Sequence, residues 1–225
     1  MSSPSTDKPQ VMRAVLTRER IVAAAVALVD ERGPDALTMR AVAQRLGAGA
    51  MSLYRHVSGR DELLDLVLEA MASEIAQRPL TGDWRRDLAG VAEDVRAALL
   101  RRPHLTVLLT SRSGRGAAEI AMLERTLRIL RAAGFGRRDA VLANHALGNF
   151  VAGAALWEAV GMAASTGPTR EARRQEAAEA IAALPVDRYP ALGWAGGAIV
   201  EGSLDERFEF GLAALLDGFA ARLRS

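Results

Sequence analysis

The sequence predicts an all-α chain in two parts, a three-helix domain near the N-terminus and a larger helical domain behind it. Three observations carry this. Apolar residues recur at helical spacing through most of the 225 residues, and no stretch alternates as a strand would. Gly and Pro interrupt the pattern at Gly33-Pro34, Gly47, Pro103 and Gly134. Thr and Ser stand where helices should begin, at Thr17, Thr38 and Ser58, and Asp83 does the same further on.

In chain order, residues 1–16 read as a loose polar tail. The first helix starts behind Thr17 and carries Ile21, Ala25, Leu28 and Val29 on one face. The second starts behind Thr38. Leu37 before the cap and Val42 at the fourth helical position form a hydrophobic staple, and Gly47 ends the helix after two turns. A third, short helix runs from Ala50 to Val57. Ser58 caps a fourth, with Asp61 as its acidic partner, running to about Gln77. Asp83 opens a helix ending near Arg101. Residues 104–110 are apolar, 111–116 a flexible connection, and 117–133 an amphipathic helix stopped by Gly134. Asp139 opens a long helix to about Ala164. Residues 170–184 are helix-compatible, the stretch from Pro185 to Gly197 reads as loop, and a last helix spans Leu204 to Arg222.

Composition narrows the function classes. Half the residues are apolar, so a sizeable core can form. The absence of cysteine removes disulfides, thiolate metal sites and cysteine nucleophiles, and suits a reducing cytoplasm. Met1 to Gln10 carry no apolar signal core, and the longest apolar stretches are too broken by polar residues to span a membrane. Net charge is only +2, yet residues 1–60 hold nine Lys/Arg against five Asp/Glu, while the remainder holds twenty against twenty-two. A basic end on a neutral body is the charge footprint of a nucleic-acid module. No nucleophile elbow, phosphate-binding loop or dinucleotide fingerprint is present, so catalysis is not expected.

A helix, a tight glycine turn and a short second helix make a helix-turn-helix, whose second helix must be exposed to reach base edges in the major groove. Leu53 and Val57 lie four apart and anchor that helix inward. Ala50, Met51, Ser52, Tyr54, Arg55 and His56 are left to face base edges and phosphates. Thr38, Arg40 and Arg60 would flank the DNA backbone, the arginines through charge-assisted phosphate contacts. One short helix reads few base pairs, so two copies one helical turn apart, on a palindromic operator in double-stranded DNA, are expected.

The run Leu37-Thr-Met-Arg-Ala-Val-Ala-Gln-Arg-Leu-Gly47, then Ser52-Leu-Tyr-Arg-His-Val57, then Arg60-Asp-Glu-Leu-Leu64 resembles the DNA-binding domain of the tetracycline-repressor (TetR) family. The resemblance covers residues 17–71 and implies a helix-turn-helix DNA-binding domain over 17–64. Residues 65–225 would form a regulatory domain for ligand binding and dimerisation. In that family, DNA contacts fall at the positions of Thr38, Arg40, Ser52, Tyr54, His56 and Arg60. Ala50, Met51 and Arg55 depart from other members, so operator sequence does not transfer.

Ala132-Ala-Gly-Phe135, Leu147-Gly-Asn-Phe-Val-Ala-Gly153 and Phe208-Glu-Phe-Gly-Leu212 resemble the tetracycline-repressor type of regulatory domain. By that resemblance the helices from Asp139 and Leu204 pair with their mates across a two-fold axis. Gly148, Ala152 and Ala155 would permit close approach, and Phe208, Leu212, Leu215 and Phe219 would supply apolar area. The same residues also fit a core within one chain. The family's drug–magnesium site is matched here by Ala76, Trp157 and an apolar residue near Leu108, so neither tetracycline, a metal nor another cofactor is expected. Trp84, Leu105, Leu108, Thr126, His145, Asn149, Trp157 and Trp194 are candidates to line a pocket for a small apolar or aromatic effector. His145 and Asn149 equally fit hydrogen-bonded core or interface positions. The expected function is a ligand-released repressor, the alternative a DNA-binding regulator controlled by a protein partner.

Overall fold

The structure, a computed structural model, describes residues 15–75, 78–102, 116–163 and 170–223. Most of the predicted tail, Ala76, Gln77, Leu105, Leu108 and the rest of 103–115 lie outside these residues. Among the described residues there are helices and turns but no strand, and no helix is long and apolar enough to cross a membrane. The chain divides into two compact units between Val67 and Leu68.

In the first unit, α1 (Arg18–Arg32) is capped by the Thr17 hydroxyl, which accepts the Arg20 N–H at 3.3 Å. Gly33 closes it at φ 79°, and a 3-10 turn (Pro34–Ala36) leads to α2 (Met39–Arg45). Thr38 caps α2 by accepting the Ala41 N–H at 3.1 Å. At the other end Gly47 has φ 63°. Its N–H reaches the Gln44 carbonyl at 3.1 Å and the Ala48 N–H reaches the Ala43 carbonyl at 2.9 Å, a Schellman turn that needs the left-handed residue. Ile21, Leu28 and Val29 pack with Leu37, Val42, Leu53, Val57, Leu63 and Val67 as the unit's buried apolar residues.

Two predictions are corrected here. Helix α3 covers only Ala50–Leu53, not Ala50 to Val57. Val57 is buried, and the chain tightens to put it there: the Leu53 carbonyl accepts N–H groups from both His56 (2.8 Å) and Val57 (3.0 Å). At the start of α4 (Arg60–Ser73), Glu62 rather than Asp61 answers Ser58. The helix begins at Arg60, so Glu62 holds its third position and accepts the Ser58 backbone N–H (2.7 Å) and hydroxyl (2.8 Å). The backbone bond and then the hydroxyl hold its carboxyl below the usual range. The helix also stops at Ser73, short of Gln77.

In the second unit, α5 (Trp84–Arg101) starts on Asp83, whose carboxylate accepts the Arg85 N–H at 2.9 Å and the Arg86 N–H at 3.3 Å. Helix α6 (Ala117–Ala132) ends at Gly134, φ 98°, and α7 (Arg137–Ala163) begins two residues before the predicted Asp139. Then come α8 (Arg170–Ala182), α9 (Pro190–Ala195), a 3-10 turn (Gly196–Ile199) and α10 (Leu204–Leu223). The stretch read as loop from Pro185 therefore contains two helical segments. Pro190 starts α9 with its φ preset for a helix. Arg174 holds the segment's far end, donating from Nε to the Val200 carbonyl (2.8 Å) and from a terminal nitrogen to that of Gly202 (3.2 Å).

The core of this unit joins α5, α6, α7 and α10. Phe135 sits at its centre, edge-on to Trp84 (5.9 Å between centroids) and to Phe219 (6.3 Å), and Phe150 stacks on Phe208 at 5.3 Å. One polar tie crosses it. Arg96 of α5 makes two bonds to the buried Glu158 of α7, 2.7 and 2.9 Å, and one to Asp205 of α10 at 2.6 Å, with its guanidinium 4.5 Å above the Phe208 ring.

Candidate nucleic-acid interface and regulatory body

The reading end is built on two buried anchors. Leu53 is fully buried and Val57 nearly so. That pins one side of α3 and turns the other outward: Met51 is 79% exposed and Tyr54 50%. Arg55 is exposed beside them, its guanidinium 3.5 Å from the Ser52 hydroxyl, at the limit of a hydrogen bond. Ala50, Ser52 and His56 are half-buried along the same short element, and Arg40 is exposed at the start of α2. The surface offers a thioether, a phenol, a hydroxyl, an imidazole and two guanidinium groups. These can meet thymine methyls, base-edge acceptors and phosphates.

Thr38 and Arg60 have work inside the protein. The Thr38 hydroxyl oxygen accepts the Ala41 N–H as a cap, which leaves its own proton to donate. Arg60 donates from Nε to the Leu37 carbonyl (2.9 Å) and from a terminal nitrogen to the Pro34 carbonyl (3.2 Å). It therefore straps the turn before α2 to the start of α4, which its sequence position did not reveal. Arg18 of α1 and Glu62 of α4 form a further tie at 2.5 Å.

Among the described residues, the expected pocket residues stand in different surroundings. Trp84 belongs to the aromatic core. Thr126 is buried, and its hydroxyl donates to the Met122 carbonyl of its own helix at 3.0 Å. His145 and Asn149 are exposed on α7, Trp157 is 79% exposed and Trp194 89%. His145, Asn149 and Trp157 thus stand on an outward side of α7 and Trp194 on α9, turned away from the core of the described residues. A cleft of about 230 Å³ between α5 and α10 is lined by Glu93, Arg96, Ala97, Leu100, Phe208, Glu209 and Leu212, none of them expected as a pocket residue.

The expected dimer residues split in two. Gly148 is exposed, and Ala152 and Leu215 are half-exposed, Leu215 also packing against the core of its own chain. Ala155, Phe208, Leu212 and Phe219 are buried within one chain and are corrected to intrachain core. Phe210, which the sequence reading did not single out, is 79% exposed. The signal was in the sequence: Phe208, Leu212, Leu216 and Phe219 share one helical face, and Phe210 lies two residues off it, pointing away. Ala213, Ala214 and Gly218 are exposed on the same helix.

An exposed short helix behind a glycine turn, set on an all-helical body, defines a helix-turn-helix DNA-binding transcriptional regulator. Residues 21–67 match the family described as bacterial regulatory proteins, tetR family, and residues 78–223 match the tetracyclin repressor-like C-terminal domain. The chain belongs to the TetR family. It is 37% identical over 217 residues to an HTH-type transcriptional regulator of Saccharopolyspora erythraea, covering 96% of this chain and 89% of that one. It is 34% identical over 206 residues to the class A tetracycline repressor from transposon 1721 in Escherichia coli, covering 90% and 89%. Among solved structures, the TetR family protein ActR of Streptomyces coelicolor in complex with actinorhodin is similar at TM-score 0.83 and 32% identity, over 92% of this chain and 97% of that one. The chain is a DNA-binding regulator of the repressor type and not an enzyme.

Proposed function

We infer that this chain acts in the cytoplasm as a homodimer on a palindromic operator and is released from it by a small apolar or aromatic effector. The observation that carries the reading is the exposure of Met51, Tyr54 and Arg55 over the buried pair Leu53 and Val57. The Met51 thioether stands almost wholly in water on a four-residue helix, and the Tyr54 phenol just after it is half in water, so neither is spent on packing the chain alone.

Dimerisation is supported by the outward faces of α7 and α10. Gly148 and Ala152 on one and Phe210, Ala213, Ala214 and Gly218 on the other are small or apolar and uncovered. Exposed apolar area of this kind marks an interaction surface. A small-molecule effector is supported by the likeness to ActR, which was solved with actinorhodin bound. Release is then a population shift between dimers that fit the operator and dimers that do not.

The test is selection of duplexes from a random library, followed by sedimentation of the complex. Enriched sequences should carry an inverted repeat with half-sites about one helical turn apart, bound by two chains. No enrichment, or a single unrepeated site bound by one chain, overturns the reading. A panel of polycyclic aromatic compounds that leaves the affinity for that duplex unchanged removes its effector half.

A further inference from the structure

Helix α6 starts without a cap of its own. Its N-cap is Gly116, which has no side chain to offer, and no side-chain cap bond is made from that position. The bond comes from elsewhere. Glu69 of α4 places Oε1 2.8 Å from the backbone N–H of Ala118. Ala118 is the second helical residue, whose N–H a Ser, Thr or Asp at the N-cap would satisfy. The carboxyl group lies so close over residue 116 that a Cβ there would overlap Oε2, so glycine at 116 and glutamate at 69 fit as a pair. Oε2 is itself buried without a hydrogen-bond partner. A buried oxygen in that condition is costly, so the cap holds only while α4 and α6 are pressed together.

We propose that Glu69 is a positioning residue. It caps α6 from α4 and thereby fixes the pose of the helix that runs unbroken from Arg60 of the first unit to Ser73 of the second. This rests on the DNA-binding reading above. An N-cap is worth roughly 2- to 30-fold in an equilibrium constant. Placed between two helices, that preference sets how firmly α4 is held, and so how well organised the reading end is before it meets DNA.

The cap can be moved without being lost. In the double variant Glu69→Ala, Gly116→Ser, the new serine caps α6 from its own N-terminus and the Glu69 bond no longer ties α4 to it. Gly116→Ser alone should behave likewise, because its Cβ displaces the end of the Glu69 side chain. Three measurements are needed on the full chain: the melting temperature, binding to the duplex enriched by the wild type, and hydrogen exchange of residues 68–73 and 117–120. Glu69→Ala alone should melt earlier and bind more weakly. The double variant should melt with the wild type, yet bind at least fivefold more weakly and exchange faster at 68–73 with 117–120 unchanged. A double variant whose Kd equals or lies below the wild-type value overturns the proposal, as does wild-type protection at 68–73. If the wild type enriches no duplex, the DNA-binding reading fails, and the exchange of 68–73 still decides whether the cap holds α4.

Discussion

Gly47 and Gly134 end their helices with the same backbone device. Each is left-handed, at φ 63° and 98°. Each donates three residues back, and the residue after it donates five back, Ala48 to Ala43 and Phe135 to Leu130. The two turns differ in what they launch. After Gly47 comes a four-residue helix that buries Leu53 and leaves Met51 in solvent, with Tyr54 and Arg55 exposed just behind it. After Gly134 comes Phe135, which is buried, touches Trp84 and Phe219 and locks the body together. The turn chemistry is the same, and function follows from which face the next residues present. The first unit uses its turn to expose groups to a partner, the second to close a core.

The sharpest way to break this comparison is on α10, where two phenylalanines lie two residues apart. Phe208 is 3% exposed and Phe210 79%. Phe208→Ala should cost about 3–5 kcal/mol of folding stability, the loss usual for a buried ring, read by chemical denaturation. Phe210→Glu should leave the chain folded and shift it to monomer in sedimentation, with operator affinity falling as a consequence. Equal destabilisation by both would refute the division between core and partner-facing residues.

That pair also marks how far the sequence could be read. The reading end was legible because its signals are local. Thr38, Gly47, Leu53 and Val57 act within a few residues of one another, and caps, left-handed turns and i, i+4 anchors are all written at that range. The body was legible as helices and not as a site. Whether Trp157, Trp194, His145 or Asn149 meets a pocket depends on which helix covers which face, and that is settled by packing between residues far apart in the chain. Ala155, Leu212 and Phe219 were read as partner-facing for the same reason, since an apolar helical face does not say whether its cover comes from its own chain. The Arg60 strap and the Glu69 cap escaped because each joins residues more than twenty apart and uses a backbone group at one end.

The next effect tests the body's polar joints. Asp87 on α5 is buried, yet its carboxylate accepts the Thr81 N–H and hydroxyl at 2.8 Å each and the Gly82 N–H at 3.1 Å. Burial pushes the group up, and these bonds, led by the Thr81 backbone, outweigh it and leave the carboxyl below the usual range. The folded state therefore prefers the ionised form. Its contribution is complete above the unfolded carboxylate range and disappears as pH falls through the lower folded value. Asp87→Asn should cost about 1–3 kcal/mol at neutral pH, and the gap from wild type should close in acid. A gap that stays constant down to acid pH would mean the charge contributes nothing.

At the reading end, Met51→Ala should barely touch stability, staying within about 0.5 kcal/mol as exposed substitutions do. It should instead change which half-site sequences are enriched, with base discrimination shifting by about 1–3 kcal/mol at the position contacted. A change in melting temperature without a change in sequence preference would make Met51 a packing residue and weaken the contrast with Phe135.

The smallest expected effect separates two arginines that looked alike in the sequence. Arg40 is exposed at the start of α2, whereas Arg60 spends two donors on the carbonyls of Leu37 and Pro34. If Arg40 meets a phosphate, Arg40→Ala should weaken binding to every sequence and lower the slope of log affinity against log salt by about 0.9, with stability untouched. Arg60→Ala removes bonds inside the protein as well. It should cost about 1 kcal/mol of stability in the absence of DNA, and its loss of affinity should persist at high salt, where phosphate attraction is screened. A salt slope unchanged by Arg40→Ala would take that residue off the DNA backbone. A salt slope lowered equally by both variants, with no stability loss at Arg60, would make the strap incidental and both residues plain phosphate contacts.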